Sequence, residues 1–125
     1  MKGTSNLRSV RPLRMLILVG VMLVVVLAPA AYANSPQKME LSYSVQTEVL
    51  TVKITHPSDK PASHYVKEII ISNNGKVVKR ASYKSQTGDV STYTFPLPKK
   101  GLGLVEVKAV CSVEGELTNA IMPFK

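Results

Sequence analysis

The chain has 125 residues, with 16 lysines and arginines against 8 aspartates and glutamates, which gives a net charge of +8. Residues 1–33 contain four of the basic residues and no acidic one, so the remaining 92 residues carry a net charge of +4. That length allows one domain, because domains usually span roughly 100 to 150 residues. It excludes a two-domain enzyme, and the single cysteine excludes an intramolecular disulfide framework.

The N-terminal segment has the layout of a secretory signal peptide. A basic stretch ends at Arg14, residues 15–27 carry no charged or polar side chain, and Ala31-Tyr32-Ala33 fits a small-x-small cleavage site. The apolar run of 13 residues is short for a membrane span, which needs about 20. We predict a signal peptide over residues 1–33, a mature domain over residues 34–125, and export to the periplasm or cell envelope of a bacterium. The alternative is an uncleaved leader that anchors the domain to the membrane.

The mature domain shows the alternating pattern of β-strands throughout. Seven strands are predicted, at residues 39–45, 48–56, 65–72, 76–84, 90–97, 104–113 and 117–124. Between the third and fourth, Asn74-Gly75 favours a tight hairpin turn. Seven short alternating strands in about 92 residues predict an all-β, immunoglobulin-like β-sandwich, an architecture that does not by itself specify a function.

Alternation also assigns side chains to the inward face. In residues 48–56 the inward set is Leu50, Val52, Ile54 and His56, and in residues 104–113 it is Val105, Val107, Ala109, Cys111 and Val113. The chain has only two histidines, His56 and His64, and Cys111 is its one cysteine. These three residues lie near strand ends, so a sandwich can bring them to one end. The alternative is that both histidines flank a solvated loop and Cys111 is a small buried hydrophobe.

The order of these motifs resembles the iron-binding domain of superoxide reductases, the desulfoferrodoxin and neelaredoxin family. His56-Pro57, His64-Tyr65, Asn74-Gly75-Lys76 and Cys111-Ser112-Val113-Glu114-Gly115 carry the resemblance, which covers residues 38–118. The resemblance implies a seven-stranded sandwich with a mononuclear, non-haem iron held by four histidine nitrogens and one cysteine thiolate. It also implies the reduction of superoxide to hydrogen peroxide.

Two ligand positions of that family differ in this chain. The last family histidine falls on Glu114 and the N-terminal one on Met39, beside Lys38, which stands for the superoxide-attracting lysine. The resemblance thus implies His56, His64, Cys111 and Glu114 as metal ligands and Lys38 as the catalytic residue. Two nitrogens, one sulfur and one oxygen suit Fe²⁺ or a four-coordinate Zn²⁺. We predict iron, with zinc as the alternative, and superoxide or another small redox molecule as the partner.

A second family competes for the same residues. Ile54-Thr55-His56-Pro57, Pro61-Ala62-Ser63-His64-Tyr65 and Asn74-Gly75-Lys76 are similar to motifs in the small sandwich subunit of the bacterial thiosulfate-oxidising carrier complex. This likeness implies a metal-free domain that binds a protein partner, for which Cys111 is not needed.

The mature domain's positive charge is scattered, and no aromatic ladder separates its two basic pairs, Lys79-Arg80 and Lys99-Lys100. We therefore expect no binding to nucleic acid. Five lysines either steer an anion such as superoxide or form an ordinary solvated surface: Lys60, Lys67, Lys84, Lys99 and Lys100.

Overall fold

The computed structural model describes residues 35–124, which form seven β-strands in two antiparallel sheets and contain no helix. The predicted all-β, immunoglobulin-like sandwich is confirmed, and every predicted strand is present to within three residues. The strands are β1 (Lys38–Ser44), β2 (Val49–Thr55), β3 (Val66–Asn73), β4 (Lys76–Ser82), β5 (Val90–Pro96), β6 (Val105–Cys111) and β7 (Glu116–Ile121).

The predicted signal peptide, residues 1–33, lies outside the described residues. Within residues 35–124, no helix has the length and apolar character needed to cross a membrane.

The sheets divide the strands into a three-stranded layer, β1-β2-β5, and a four-stranded layer, β4-β3-β6-β7. The chain leaves β2 at His56, crosses between layers through residues 56–65, and enters β3 at Val66. Val66 is the pairing partner of Cys111, the last residue of β6. His56, Val66 and Cys111 therefore define one end of the sandwich, here called the His56 end.

The core is made by the inward residues of both layers. Eight side chains of this set that are larger than alanine have no or almost no exposed surface: Leu50, Val52, Ile54, Val66, Ile69, Ile71, Val105 and Val107. Burying one such side chain contributes roughly 1.5 to 3 kcal/mol. His56 and Cys111 continue the same alternation at the ends of β2 and β6, and each is only 2% exposed. The alternation that forms the core is thus what directs these two side chains inward.

The opposite end of the sandwich contains the predicted hairpin turn. Asn74 and Gly75 have φ angles of 50° and 84°, the left-handed region that a two-residue turn of this kind requires. The side-chain oxygen of Asn74 accepts a hydrogen bond from the Leu104 N–H at 2.9 Å. Side-chain contacts therefore join this turn to the connection between β5 and β6.

Candidate metal centre

Donor residues from two distant parts of the sequence meet at the His56 end. His56 directly follows β2 and keeps that strand's inward parity, and Cys111 completes β6. Because Val66 pairs with Cys111, the register of β3 and β6 delivers His64, two residues earlier in the chain, to the same place. The loop of residues 56–65 thus supplies both histidines and β6 supplies the thiol.

The three donors are close enough to share one ion. One ring nitrogen of each histidine and the Sγ of Cys111 all lie within 4.8 Å of one another. The two imidazole rings meet edge to face, with centroids 4.6 Å apart and planes at 85°. His56 and Cys111 are buried, whereas His64 is half-buried. A metal ion held here would be enclosed on the His56 and Cys111 sides and approachable past His64.

The donor chemistry fits a divalent transition metal. A thiolate and two imidazoles are standard donors for Zn²⁺, and both donor types also bind iron. Ligand atoms around a tetrahedral zinc lie roughly 3.5 Å apart, so the observed separations need only small side-chain rotations to close. The four-histidine set implied by the resemblance cannot form, because the chain has only two histidines. Three protein donors leave coordination positions for water or a small molecule.

Hydrogen bonds fix the backbone that carries His64. The N–H groups of Ser63 and His64 donate to the carbonyl oxygen of Lys60 at 2.9 and 2.7 Å. The Ser58 hydroxyl donates to the carbonyl oxygen of His64 at 2.5 Å. The His64 backbone is therefore held on both its donor and its acceptor side, although much of the surrounding loop is exposed.

Ser112 connects the cysteine to the same loop. Its hydroxyl accepts the Tyr65 N–H at 3.0 Å and donates to the carbonyl oxygen of Ser63 at 3.0 Å. Its own N–H donates to the carbonyl oxygen of Tyr65 at 2.8 Å. The residue that follows Cys111 is thus bonded to both sequence neighbours of His64.

The turn after β6 presents a hydrogen-bond donor to the sulfur. The Val113 N–H lies 3.4 Å from the Sγ of Cys111, and the Cys111 N–H donates to the carbonyl oxygen of Gly115 at 3.0 Å. Gly115 has a φ of 91°, and a Cβ at this position would collide with the side chain of Ser35. The angle favours glycine here, and a larger residue would also have to displace the Ser35 side chain. The resulting turn gives the sulfur a partner of the kind that surrounds metal-bound thiolates.

Sequence reasoning missed Gln86. It lies in the connection between β4 and β5, which reads only as a polar loop, yet its side chain is buried. Its Oε1 lies 2.8 Å from the Nδ1 of His56. No sequence signal distinguishes this glutamine from its exposed polar neighbours, because its burial depends on how the loop folds back over the His56 end.

The structure does not bring Glu114 into the cluster. Its carboxylate is not among the ligand atoms that converge, and the side chain is exposed. β6 ends at Cys111, and Glu114 lies in the turn that follows, on the parity that alternation assigns to the outer face. Val113, predicted to be inward, is likewise 58% exposed.

Lys38 and Met39 occupy opposite faces of β1. The Lys38 ammonium lies 3.2 Å from the Glu40 carboxylate on the solvent side. The hydrogen bond from Lys38 is the largest of the causes that lower the pKa of the Glu40 carboxyl. Met39 is buried in the hydrophobic core, and its carbonyl oxygen accepts a hydrogen bond from the Asn119 side chain at 2.9 Å. Lys38 is thus at the His56 end, opposite Thr55, but on the outer face of its sheet.

Comparison with known proteins shows that this chain resembles solved structures in fold. No family model and no curated protein matches the chain. Solved structures that resemble it include superoxide reductase (1Fe-SOR) from Giardia intestinalis, with a TM-score of 0.51 and 15% identity over 71% of this chain and 96% of that chain. Superoxide reductase from Nanoarchaeum equitans has a TM-score of 0.44 and 14% identity over 72% of this chain and 93% of that chain. The sandwich described here is therefore similar in fold to the Giardia superoxide reductase.

Proposed function

We propose that the chain is an exported domain that binds one divalent transition-metal ion through His56, His64 and Cys111. The observation that carries this proposal is the convergence of these donors within 4.8 Å. The chain has two histidines and one cysteine, so every histidine and cysteine it contains lies in this cluster. Scattered structural residues have no reason to gather in this way. The layout of residues 1–33 supports export to a bacterial periplasm or cell envelope.

Iron is the metal we favour, and superoxide reduction is the activity. The resemblance in the motifs around His56, His64 and Cys111 supports both, and the fold shared with a superoxide reductase agrees with them. Bound iron would supply the one-electron chemistry that converts superoxide, with two protons, to hydrogen peroxide. The residues of this chain hold the ion and leave an approach past the half-buried His64. Zinc, which has no redox chemistry, is the alternative and would give a binding or structural site.

Lysines and acidic side chains share the His56 end, and we infer that the lysines assist the approach of an anion despite Asp59, Asp89 and Glu114. Lys60, Lys67 and Lys84 are exposed and belong to the loop or strand segments at the His56 end. Lysines placed in this way raise the local concentration of a small anion and its rate of encounter. Lys99 and Lys100 lie between β5 and β6, at the opposite end, and take no part in this steering.

The metal content of the purified protein tests the proposal. The full chain is expressed, purified anaerobically and analysed for metals beside two variants. Cys111→Ala removes a donor, and Val105→Ala removes a larger buried volume, but no donor, at the other end of the same strand. We expect about one ion per chain in the wild type and in Val105→Ala, and none in Cys111→Ala. A superoxide assay on the iron-loaded wild type then tests the activity, and absence of metal from all three proteins would reject the proposal.

A metal-free domain that binds a protein partner is the second candidate. The observation in its favour is that β4 is an edge strand on which Val77 and Val78 are 44% and 47% exposed. A groove of about 190 Å³ beside it is lined by Ile70, Val77 and Arg80 among others. Exposed edge strands can accept an extended segment of another chain. Charge-reversing Lys79→Glu and Arg80→Glu variants that still form every native complex would count against this surface.

A further inference from the structure

Gln86 is a buried side chain whose amide group is fully engaged. Its Nε2 donates to the carbonyl oxygens of His56 at 2.7 Å and Gly88 at 3.0 Å. Its Oε1 lies 2.8 Å from the Nδ1 of His56 and accepts the Val66 N–H at 3.2 Å. Its backbone N–H donates to the carbonyl oxygen of Pro61 at 3.3 Å, which ties the Gln86 loop to the histidine loop. A polar group this deeply buried is stable only when partnered in this way.

The partners determine which way the amide points. The carbonyl oxygens of His56 and Gly88 can only accept, so the amide atom that faces them is the NH₂ group. The Val66 N–H can only donate, so the atom that faces it is the oxygen. Both conditions agree, and the reversed amide would place donor against donor and acceptor against acceptor.

The fixed amide in turn determines which ring nitrogen of His56 donates the hydrogen bond between them. Because the Oε1 of Gln86 carries no hydrogen, the Nδ1 of His56 must donate the bond that joins them at 2.8 Å. A neutral imidazole with its proton on Nδ1 has its lone pair on Nε2. A metal-binding imidazole uses such a lone pair and is oriented by a hydrogen bond from its other nitrogen.

We propose that Gln86 is a positioning residue that holds His56 in the Nδ1–H tautomer, so that the ring Nε2 is the nitrogen that binds the metal. This inference rests on the proposed metal-binding function. It deepens that function, because it identifies the donor atom of His56 and a residue that no ligand motif marks. Outer hydrogen-bond partners of this kind typically change metal affinity about 10- to 100-fold when they are removed.

Two variants of Gln86 distinguish the effect of the His56 tautomer on metal binding from the effect of side-chain packing. Gln86→Met fills a similar volume without hydrogen bonds, so it frees the His56 tautomer. Gln86→Glu keeps an oxygen toward Nδ1 but loses the NH₂ donors to His56 and Gly88, so it preserves the tautomer at a cost in stability. Gln46→Met is the matched control, because Gln46 is exposed in the turn between β1 and β2 at the opposite end.

The experiment combines two measurements on the full chain. Long-range ¹H–¹⁵N correlation of the metal-free protein reports which ring nitrogen of His56 carries the proton. Titration with Co²⁺, followed by thiolate-to-metal absorption, gives the Kd. We expect Nδ1–H in the wild type, mixed tautomers with a Kd raised about 10- to 100-fold in Gln86→Met, and both properties retained in Gln86→Glu and Gln46→Met.

The outcomes separate this inference from the proposed function. A wild-type His56 protonated on Nε2 would overturn the inference even if Co²⁺ binds, and it needs no variant to fold. An unchanged Kd in Gln86→Met would overturn it as well while leaving metal binding intact. A wild-type chain that shows Nδ1–H but binds no Co²⁺ would overturn the proposed function, and with it the role of Gln86 toward a metal.

Discussion

The hydroxyl of Ser112 donates a hydrogen bond to the carbonyl oxygen of Ser63 at 3.0 Å, which ties the residue after Cys111 to the residue before His64. The same hydroxyl accepts the N–H of Tyr65, the residue after His64. One side chain thus fixes the spacing between the sulfur and the more exposed imidazole.

Ser112→Ala is expected to weaken metal binding and to lower the free energy of unfolding by about 1 kcal/mol, the usual net value of a hydrogen bond. Without the hydrogen bonds of the Ser112 hydroxyl, the His64 loop can move relative to Cys111. Titration with Co²⁺ and urea unfolding measure the two effects. Ser42→Ala, at an exposed position of β1, is the control and should change neither quantity. Equal metal affinity in both variants would mean that the backbone bonds alone hold the loop.

Replacing the two histidines by alanine is expected to lower the free energy of unfolding by different amounts. His64 is half-buried and packs edge to face against His56, so His64→Ala should lower the free energy of unfolding of the metal-free protein by about 1 kcal/mol. His56→Ala should cost about 2 kcal/mol, because it opens a cavity and removes a partner of the buried Gln86. Both variants should lose metal binding, measured by Co²⁺ titration. Retention of binding by either one would remove that histidine from the ligand set.

Metal should stabilise the folded domain. A ligand present at 100 times its Kd adds about 2.7 kcal/mol to the free energy of unfolding, which raises Tm by roughly 10 to 20 °C in a domain of this size. Thermal unfolding with excess Zn²⁺ and with a chelator measures the difference. Cys111→Ala should show no such shift. A shift of equal size in that variant would indicate binding elsewhere on the chain.

Glu114→His provides a test of the turn geometry. The structure places residue 114 on an exposed turn outside the donor cluster, so an added imidazole there should leave the Kd for Co²⁺ unchanged. Glu114→Gln controls for the loss of charge. Tighter binding by the histidine variant alone would show that the turn can move its side chain into the site.

Alkaline pH should destabilise the domain through Tyr83 and Tyr93, whose ring centroids lie 4.8 Å apart. Burial is the main cause that raises the pKa of both phenols, and the charge of Tyr93 adds to the effect on Tyr83. The folded state therefore keeps these protons to higher pH than the unfolded chain does. Stability conferred by the protonated rings is full below the ordinary tyrosine pKa of about 10 and declines as the pH rises past it.

Urea unfolding at increasing pH measures this decline. Tyr93→Phe should reduce it, whereas Tyr65→Phe, outside the pair, serves as the control. A decline of the same steepness in Tyr93→Phe and the wild type would exclude the pair as its cause.

Alternation in the sequence was sufficient to predict the seven strands and the inward direction of His56 and Cys111. These features are local, since each depends only on the two-residue period of a strand. The same rule failed for Val113, because it assumed that β6 continues past Cys111, where the chain turns at Gly115 instead. Glu114 lies in the same turn, and no periodic pattern in the sequence marks the residue at which a strand ends.

The contacts that complete the site depend on pairing between distant segments. The pairing of Val66 with Cys111 depends on the register between β3 and β6, which the sequence of neither strand specifies alone. Gln86 becomes buried only when its loop closes over residues brought there by β2 and β3. Sequence reasoning therefore identified the donors but not the side chains that orient them.

The position of the donors on two layers has a mechanical consequence. His56 extends from the three-stranded sheet and Cys111 belongs to the four-stranded sheet, 55 residues apart in the chain. Antibody domains join their two sheets by a disulfide, which a chain with one cysteine cannot make. An ion shared by His56 and Cys111 would close a loop of similar kind and restrict the unfolded chain in a similar way. The sandwich would then carry a cross-link that forms when the metal binds and is lost when the metal is removed. A disulfide, in contrast, forms by oxidation and is broken by reduction.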